Sequence, residues 1–378
     1  MPAPTRTIVD PRFGAELRQR RESRGLTLRQ LGVAVSYGKS LLHQLETGRT
    51  RPTVDVATRL DDALAAGGAL AALVADMPTP SERALYAAQH PRRVDHGAVD
   101  ALADLLASYR RLEDSIGSTL VVDPVRVQLD TVVSLLRDAG HQVRPAVVDM
   151  AAQWAQFAGW LGIATGDDRA ATMWLGRALQ WATEAGNRDL IAAVLSFQGH
   201  QAEGCGDLPS MIGLSGAARR DDAVHTALRA YSAGQGARGL AMADAHPREV
   251  IGLLSEAADL AEQATGQPLS PWGYWYTPAF FSVQQGIVWR YLGARDDRAN
   301  DRALRLLTAG VAGASEDARG SDWHGRHLVH LAVVHTQAGD TSIARQVLDE
   351  ARAIADATAS RALAGQVAEA VRRLSATR

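Results

Sequence analysis

"LRQRRESRGLTLRQLGVAVSYGKSLLHQLETGRTRP", residues 17–52, decides how the N-terminal part of the chain folds. Helix start and stop signals divide it and its flanks into short segments. An amphipathic helix is predicted over 12–24, closed by Gly25; Thr27 then caps a helix running through Val35. After Ser36 and Tyr37 a third helix runs to Thr47 and stops at Gly48, a residue free to take the positive φ that closes a helix. The basic loop "RTRP" follows, Thr53 caps a fourth helix, "TVDVATRLDDALAA", and beyond Gly67 and Gly68 a short apolar turn, "ALAALVA", finishes the unit. Charge singles out the same region. Residues 12–51 carry nine Lys or Arg against three Glu, a local charge of +6, whereas the 378-residue chain has a formal net charge of −2. A basic module in an otherwise neutral to acidic chain is the footprint of a part that meets phosphate. Lys39 is the only lysine beside 39 arginines; codon usage accounts for its absence elsewhere, and its place here makes it of interest.

Spacing, apolar positions and charge together make this stretch resemble the helix-turn-helix of the phage-repressor (Cro/C1, XRE-type) regulators over about the first 75 residues. Leu17, Leu26, Leu31, Val35, Leu42 and Leu45 fall on positions that family buries. Arg21 and Glu46 fall where it places an ion pair joining the first helix to the third, and a lone charge at the end of so small a core would be costly to desolvate. The resemblance implies that the third helix enters the major groove of double-stranded DNA. Matched position by position, Lys39, Ser40 and Gln44 are its base readers, with Gly38 at the helix start and His43 on a neighbouring exposed face. Lys suits guanine O6 and N7, and Gln suits adenine N6 and N7. Arg49, Thr50 and Arg51, with Arg29 on the second helix, are expected phosphate contacts. Leu41 is read either as a thymine-methyl contact or as core packing. Two departures stand out: Ser36 replaces the turn glycine and is expected to keep a negative φ, and Leu28 replaces a glutamine that commonly binds phosphate.

Composition favours helix throughout, with 46% hydrophobic residues, 22% charged, and few aromatic residues for a sheet. The expected fold class is all-α: an N-terminal bundle of about five helices over 1–75, a Pro-containing linker over 76–97, and a helical repeat domain over 98–378. The repeat signal is a pair of small residues seven apart: Gly159 with Gly166, Gly199 with Gly206, Gly286 with Gly293, Ala332 with Gly339, and more weakly Gly236 with Ala243. Small residues let the second helix of a hairpin approach the first. Four or five hairpins are expected, stacked as a solenoid resembling tetratricopeptide repeats, with "Ala, large apolar, small" at Ala171, Leu175, Ala178 and at Ala344, Leu348, Ala351. Their spacing of 37 to 50 residues exceeds the usual repeat of about 34, so the copies are divergent.

All eight tryptophans lie between 154 and 323. Trp154, Phe157, Trp160, Trp174 and Trp181 are read as core. Trp272, Tyr274, Trp275, Tyr276, Phe280 and Phe281, followed by Trp289, sit around a Pro-flanked connection and are read either as core or as the lining of a groove for a ligand or partner. The single cysteine, Cys205, excludes an internal disulfide and a multi-cysteine zinc site, and no apolar run of about 18 residues exists to span a membrane. A cytoplasmic location is expected. "GQGARG" at 234–239 lies within a helical repeat without a preceding strand, and "SYGK" lacks the partner motifs of an acyl-transfer site, so neither supports an enzyme. His324, His327 and His330, at three-residue intervals, are read as buried or groove histidines, and no metal or cofactor is expected. The chain as a whole resembles actinobacterial transcription regulators with this architecture. That resemblance implies a homodimer on DNA whose repeat domain responds to a signalling peptide, small ligand or protein; the rival reading is an interaction scaffold with a degenerate helix-turn-helix.

Overall fold

A computed structural model of the chain describes residues 7–10, 12–76 and 94–376. The chain divides into two compact units, Met1–Glu82 and Arg83–Arg378. Most of the stretch expected as a linker, residues 77–93, lies outside the described residues. Its far end is already helical, because Asp95 accepts from the Ala98 N–H and starts a helix at His96.

The first unit runs β1 (Thr7–Val9), α1 (Phe13–Ser23), α2 (Leu28–Val35), α3 (Lys39–Glu46), α4 (Val54–Ala63), a 3-10 turn (Ala71–Leu73) and β2 (Val74–Asp76). Local signals set the helix ends. Thr27 and Gln30 form a reciprocal capping box, with Thr27 Oγ1 accepting from the Gln30 N–H at 3.2 Å and Gln30 Oε1 accepting from the Thr27 N–H at 2.9 Å. Phe13, Leu17, Leu31, Leu42, Leu45 and Leu60 form a dry core, while Leu26, Leu28 and Leu41 pack against its edge. The expected fifth helix is instead a 3-10 turn leading into a strand. Val9 pairs with Val74 and Thr7 with Asp76 in an antiparallel two-stranded ribbon, an element whose three-residue strands are too short to show an alternation in sequence. Buried Asp61 holds the approach to it, accepting from the N–H of Gly68 at 2.8 Å and of Ala71 at 2.6 Å.

The second unit begins with α5 (His96–Ile116) and α6 (Ser118–Asp138). Five helical hairpins follow: α7 (Arg144–Thr165) with α8 (Asp168–Ala185), α9 (Arg188–Gly204) with α10 (Leu208–Ala218), and α11 (Thr226–Met242) with α12 (Pro247–Gln263) complete the first three. The last two are α13 (Pro278–Gly293) with α14 (Asp297–Ala312), and, after the short α15 (Glu316–Arg319), α16 (Asp322–Gln337) with α17 (Thr341–Ala357). Helix α18 (Arg361–Ala376) packs on the last pair and ends the stack.

Each of the five small-residue pairs falls on the first helix of one of these hairpins, and steric constraint explains why. A Cβ on Gly159 would stand 2.6 Å from the side chain of buried Leu175, and one on Gly286 would stand 2.7 Å from Leu307. Where it is a glycine, the second member of a pair has one of two uses. Gly166 takes φ 78 and closes α7 in the left-handed conformation. Gly293 is still helical; a Cβ there would meet the Asn300 backbone at 2.8 Å, so closeness of the partner helix requires it. The glycines of "GQGARG" have the same kind of role inside α11. Cβ atoms on Gly234 and Gly239 would collide with Gln284 and Ile212. No helix among the described residues is long and apolar enough to cross a membrane.

Gly293→Ala is expected to destabilise the second unit by about 1–3 kcal/mol, since backbone must move to admit the methyl group. Gly252→Ala, on an exposed helix face with nothing within 4 Å, should stabilise it by about 0.5–1 kcal/mol. Denaturant titration of the two variants checks the pair of opposite signs.

Candidate nucleic-acid interface and ligand cavity

Helix α3 is held by one face and leaves the other open. Leu42 and Leu45 are buried in the core, whereas Lys39, Ser40, His43 and Gln44 are exposed. Gly38 stands at the N-cap, so the first turn of the helix is uncovered. At the other end the chain folds back: the Arg49 N–H donates to the Gln44 carbonyl at 2.9 Å, and Thr50 Oγ1 donates to Gln44 Oε1 at 3.0 Å. This ties the loop carrying Arg49 and Arg51 to the exposed side of α3. Leu41 packs on the core edge.

The +6 of this region is not spread evenly. Arg12, Arg18 and Arg20 are matched locally by Asp10, Glu22 and Glu16. Arg29, Lys39, Arg49 and Arg51 are all exposed and have no acidic partner among the described residues. The uncompensated charge therefore lies on α2, α3 and the following loop, with Arg24 at the end of α1 also exposed and without an acidic partner among the described residues.

Arg21 is different in kind. Its Nε donates to Glu46 Oε1 at 2.6 Å and its Nη2 to Glu46 Oε2 at 3.0 Å, while Nη1 donates to the Leu26 carbonyl at 2.8 Å. Only 10% and 5% of the two side chains are exposed. The Glu46 hydrogen bond raises the Arg21 pKa further above its ordinary value. The pair locks α1 to the end of α3, where a Cβ on Gly14 would stand 2.7 Å from the Glu46 carbonyl oxygen. Gly14 carries no motif and was not visible from sequence. Ser36, expected to keep a negative φ, instead takes φ 58 and ψ 36, the left-handed region normally left to glycine. The tight turn from α2 into α3 requires it, with the Tyr37 N–H donating to the Gly32 carbonyl at 2.9 Å.

The second site is a cavity of about 180 Å³ inside the hairpin unit. Its aromatic wall combines Phe157 and Trp160 of α7, Phe197 of α9, Trp272, Tyr274 and Trp275 of the connection before α13, Phe280 of α13 and Trp323 of α16. Trp275 packs edge-on to Tyr231 at 5.5 Å and to Phe280 at 4.9 Å. Of the residues expected to line a groove, Tyr276 and Phe281 lie behind this wall, stacked on each other at 5.9 Å. Trp289 lies outside it under the Arg302 guanidinium. Trp154, by contrast, is wholly buried core.

Polar groups enter from helices far apart in sequence: Arg110, Glu113 and Asp114 from α5, Arg238 from α11, and Arg326, His327 and His330 from α16. Asp114 accepts from Tyr274 Oη at 2.6 Å and from Trp323 Nε1 at 3.1 Å. Glu113 accepts from Ser118 Oγ at 2.5 Å and Trp160 Nε1 at 3.2 Å, and burial pushes its carboxyl up to about 8. Burial brings the Arg110 guanidinium down to about 10 and the His327 imidazole down to about 3. Glu203 is pushed up by burial, but the cation of Arg238 and the His200 hydrogen bond outweigh this and bring it down to about 2. The α16 groups had a signal in the spacing of "HGRHLVH", whereas Arg110 and Arg238 are gathered only by packing. No grouping of His, Cys, Asp and Glu among the described residues is placed to hold a metal ion.

A helix-turn-helix domain family matches residues 12–74 of the chain. A search of curated proteins finds no relative. Among solved structures the chain is similar to BtubC (BKLC) from P. vanneervenii, at 18% identity and a TM-score of 0.42, covering 62% of this chain and 90% of that one. It is also similar to Bacillus thuringiensis PlcR in complex with the peptide PapR7 and DNA, at 13% identity and a TM-score of 0.32, covering 79% of this chain and 94% of that one. Both likenesses are too slight to bear on function.

Two stability measurements probe the interface scaffold. Glu46→Ala is expected to cost about 3 kcal/mol, because it strands a buried guanidinium, and replacing Arg21 and Glu46 together by apolar residues should recover most of the loss in denaturant melts. Ser36→Gly should stabilise the first unit by about 1 kcal/mol by relieving the left-handed backbone.

Proposed function

We propose that the chain is a sequence-specific DNA-binding transcription regulator of the cytoplasm, acting as a homodimer, in which the tetratricopeptide-like hairpin stack senses a peptide, small ligand or protein partner. The observation that carries this reading is the placement of the unpaired cations. Lys39 stands on the open face of α3 while Arg29, Arg49 and Arg51 flank it, and the remaining nearby arginines are largely spent on local acids. Free charge beside an exposed helix face that also carries Ser40, His43 and Gln44 is the arrangement a major groove demands: cations on the phosphates and short polar groups on the bases. In this reading Lys39 donates to guanine, Gln44 reads the next base, and Arg49, Thr50, Arg51 and Arg29 set register on the backbone. Arg21 and Glu46 touch no DNA and hold α3 in position. A dimer on a two-fold site supplies the number of base contacts that one short helix lacks.

Binding to genomic fragments at two salt concentrations tests the reading. A few preferred fragments should emerge, with affinity falling steeply as salt rises; uniform weak binding would favour the scaffold alternative. Arg51→Ala should weaken binding evenly across sequences and lower the salt dependence by about one ion, while Lys39→Ala should cost roughly 1–3 kcal/mol at one base pair and relax preference there. Equal behaviour of the two variants would reduce Lys39 to a phosphate contact.

A further inference from the structure

We propose that the cavity of the hairpin unit binds a small aromatic carboxylic acid, its ring held among the tryptophans and its carboxylate received by Arg326 at the α16 end. The proposal rests on the reading of that unit as a sensor, and identifies the class of signal.

Size comes first. A dry cavity of about 150 Å³ is known to accommodate benzene, so about 180 Å³ takes one ring with a small substituent. The walls select a flat apolar body, since Trp160, Phe197, Trp275, Phe280 and Trp323 present ring faces and edges from five separate elements.

Charge comes second. Beside burial, the groups that hold the His327 and His330 imidazoles neutral are a neighbouring histidine, Arg238, Arg326 and, for His330, Arg290. Glu203 is the carboxylate that answers this cluster, and it is taken up by Arg238. Arg326 is left with no acidic partner among the described residues, and its Nε is buried without a hydrogen bond. Arg238 Nε and His330 Nδ1, also lining the cavity, are buried without partners as well. Buried donors of this kind lose free energy unless an acceptor arrives, and a carboxylate matches a guanidinium edge in both charge and shape. Arg110, the other lining cation without an acidic partner among the described residues, is instead covered by the Phe157 ring and reaches the Gln153 carbonyl at 3.5 Å. Asp114, fixed by Tyr274 and Trp323, disfavours a second acidic group on the ligand. Tyr274, 44% exposed, marks the way in and out of the cavity.

Tryptophan fluorescence of the full chain without DNA is the direct assay, because four of the eight tryptophans line the cavity. Probes are benzoate, cinnamate and indole-3-acetate, each beside its neutral amide, with acetate and a dipeptide ending in phenylalanine as further arms. At least one aromatic acid should give a saturable change below about 1 mM, its amide should bind at least about tenfold more weakly, and acetate should give none. Arg326→Gln should lose that discrimination while keeping its melting temperature, since the side chain has no partner to lose. The proposal is overturned if amides bind as well as acids, if Arg326→Gln binds unchanged, if only the dipeptide registers, or if nothing binds by about 1 mM. Because no DNA is present, these outcomes are independent of the DNA-binding test. An acid that binds without altering operator affinity would leave the site in place and remove its sensory role.

Discussion

How closely two helices can approach governs the larger part of this molecule. Two hairpins of the second unit are built on positions where even a methyl group would overlap the partner helix, Gly159 against Leu175 and Gly286 against Leu307. That closeness gives each pair a tight seam without large side chains, and the bulky aromatics are left for the space between pairs. The cavity follows from this division: its walls come from all five hairpins, the helix α5 before them and one connection, and no single repeat could form it. The first unit uses the same device once, at Gly14, where α1 meets the end of α3.

Desolvated arginine is the second theme, used with opposite intent in the two units. Arg21 is buried against Glu46 in a two-point pair with a third bond to a carbonyl, which satisfies it and makes it structural. Arg326 and Arg238 retain buried donors that nothing among the described residues answers. A satisfied buried cation fixes geometry, and an unsatisfied one is a standing demand for an anion.

The sequence carried the first unit well because its signals are local. Capping residues, stop glycines and the positions of Leu17, Leu31, Leu42 and Leu45 each depend on neighbours within one turn, and each matches the helices and core observed. The small-residue pairs gave the hairpins for the same reason. What was missed depended on distant partners or on strain. The β1–β2 ribbon is too short to alternate, and Ser36 accepts a left-handed backbone that residue type alone disfavours. Part of the aromatic wall was visible as a cluster around residues 272–281 and the α16 histidines by their spacing, but the remaining charged groups were not. Arg110, Glu203 and Arg238 are unremarkable along the chain and acquire meaning only when α5, α9 and α11 are brought to one place.

The lone lysine has a further chemical consequence. With every other basic side chain an arginine or a histidine, the chain holds a single side-chain primary amine, and it stands exposed at the first turn of α3. An acyl donor or aldehyde that seeks amines therefore meets one side chain in the whole protein, and acylating it erases one positive charge from the face proposed to meet DNA while leaving every arginine intact. The covalent state of one nitrogen is thus a separate variable in how this surface sees a polyanion, and it leaves the packing of either unit unchanged.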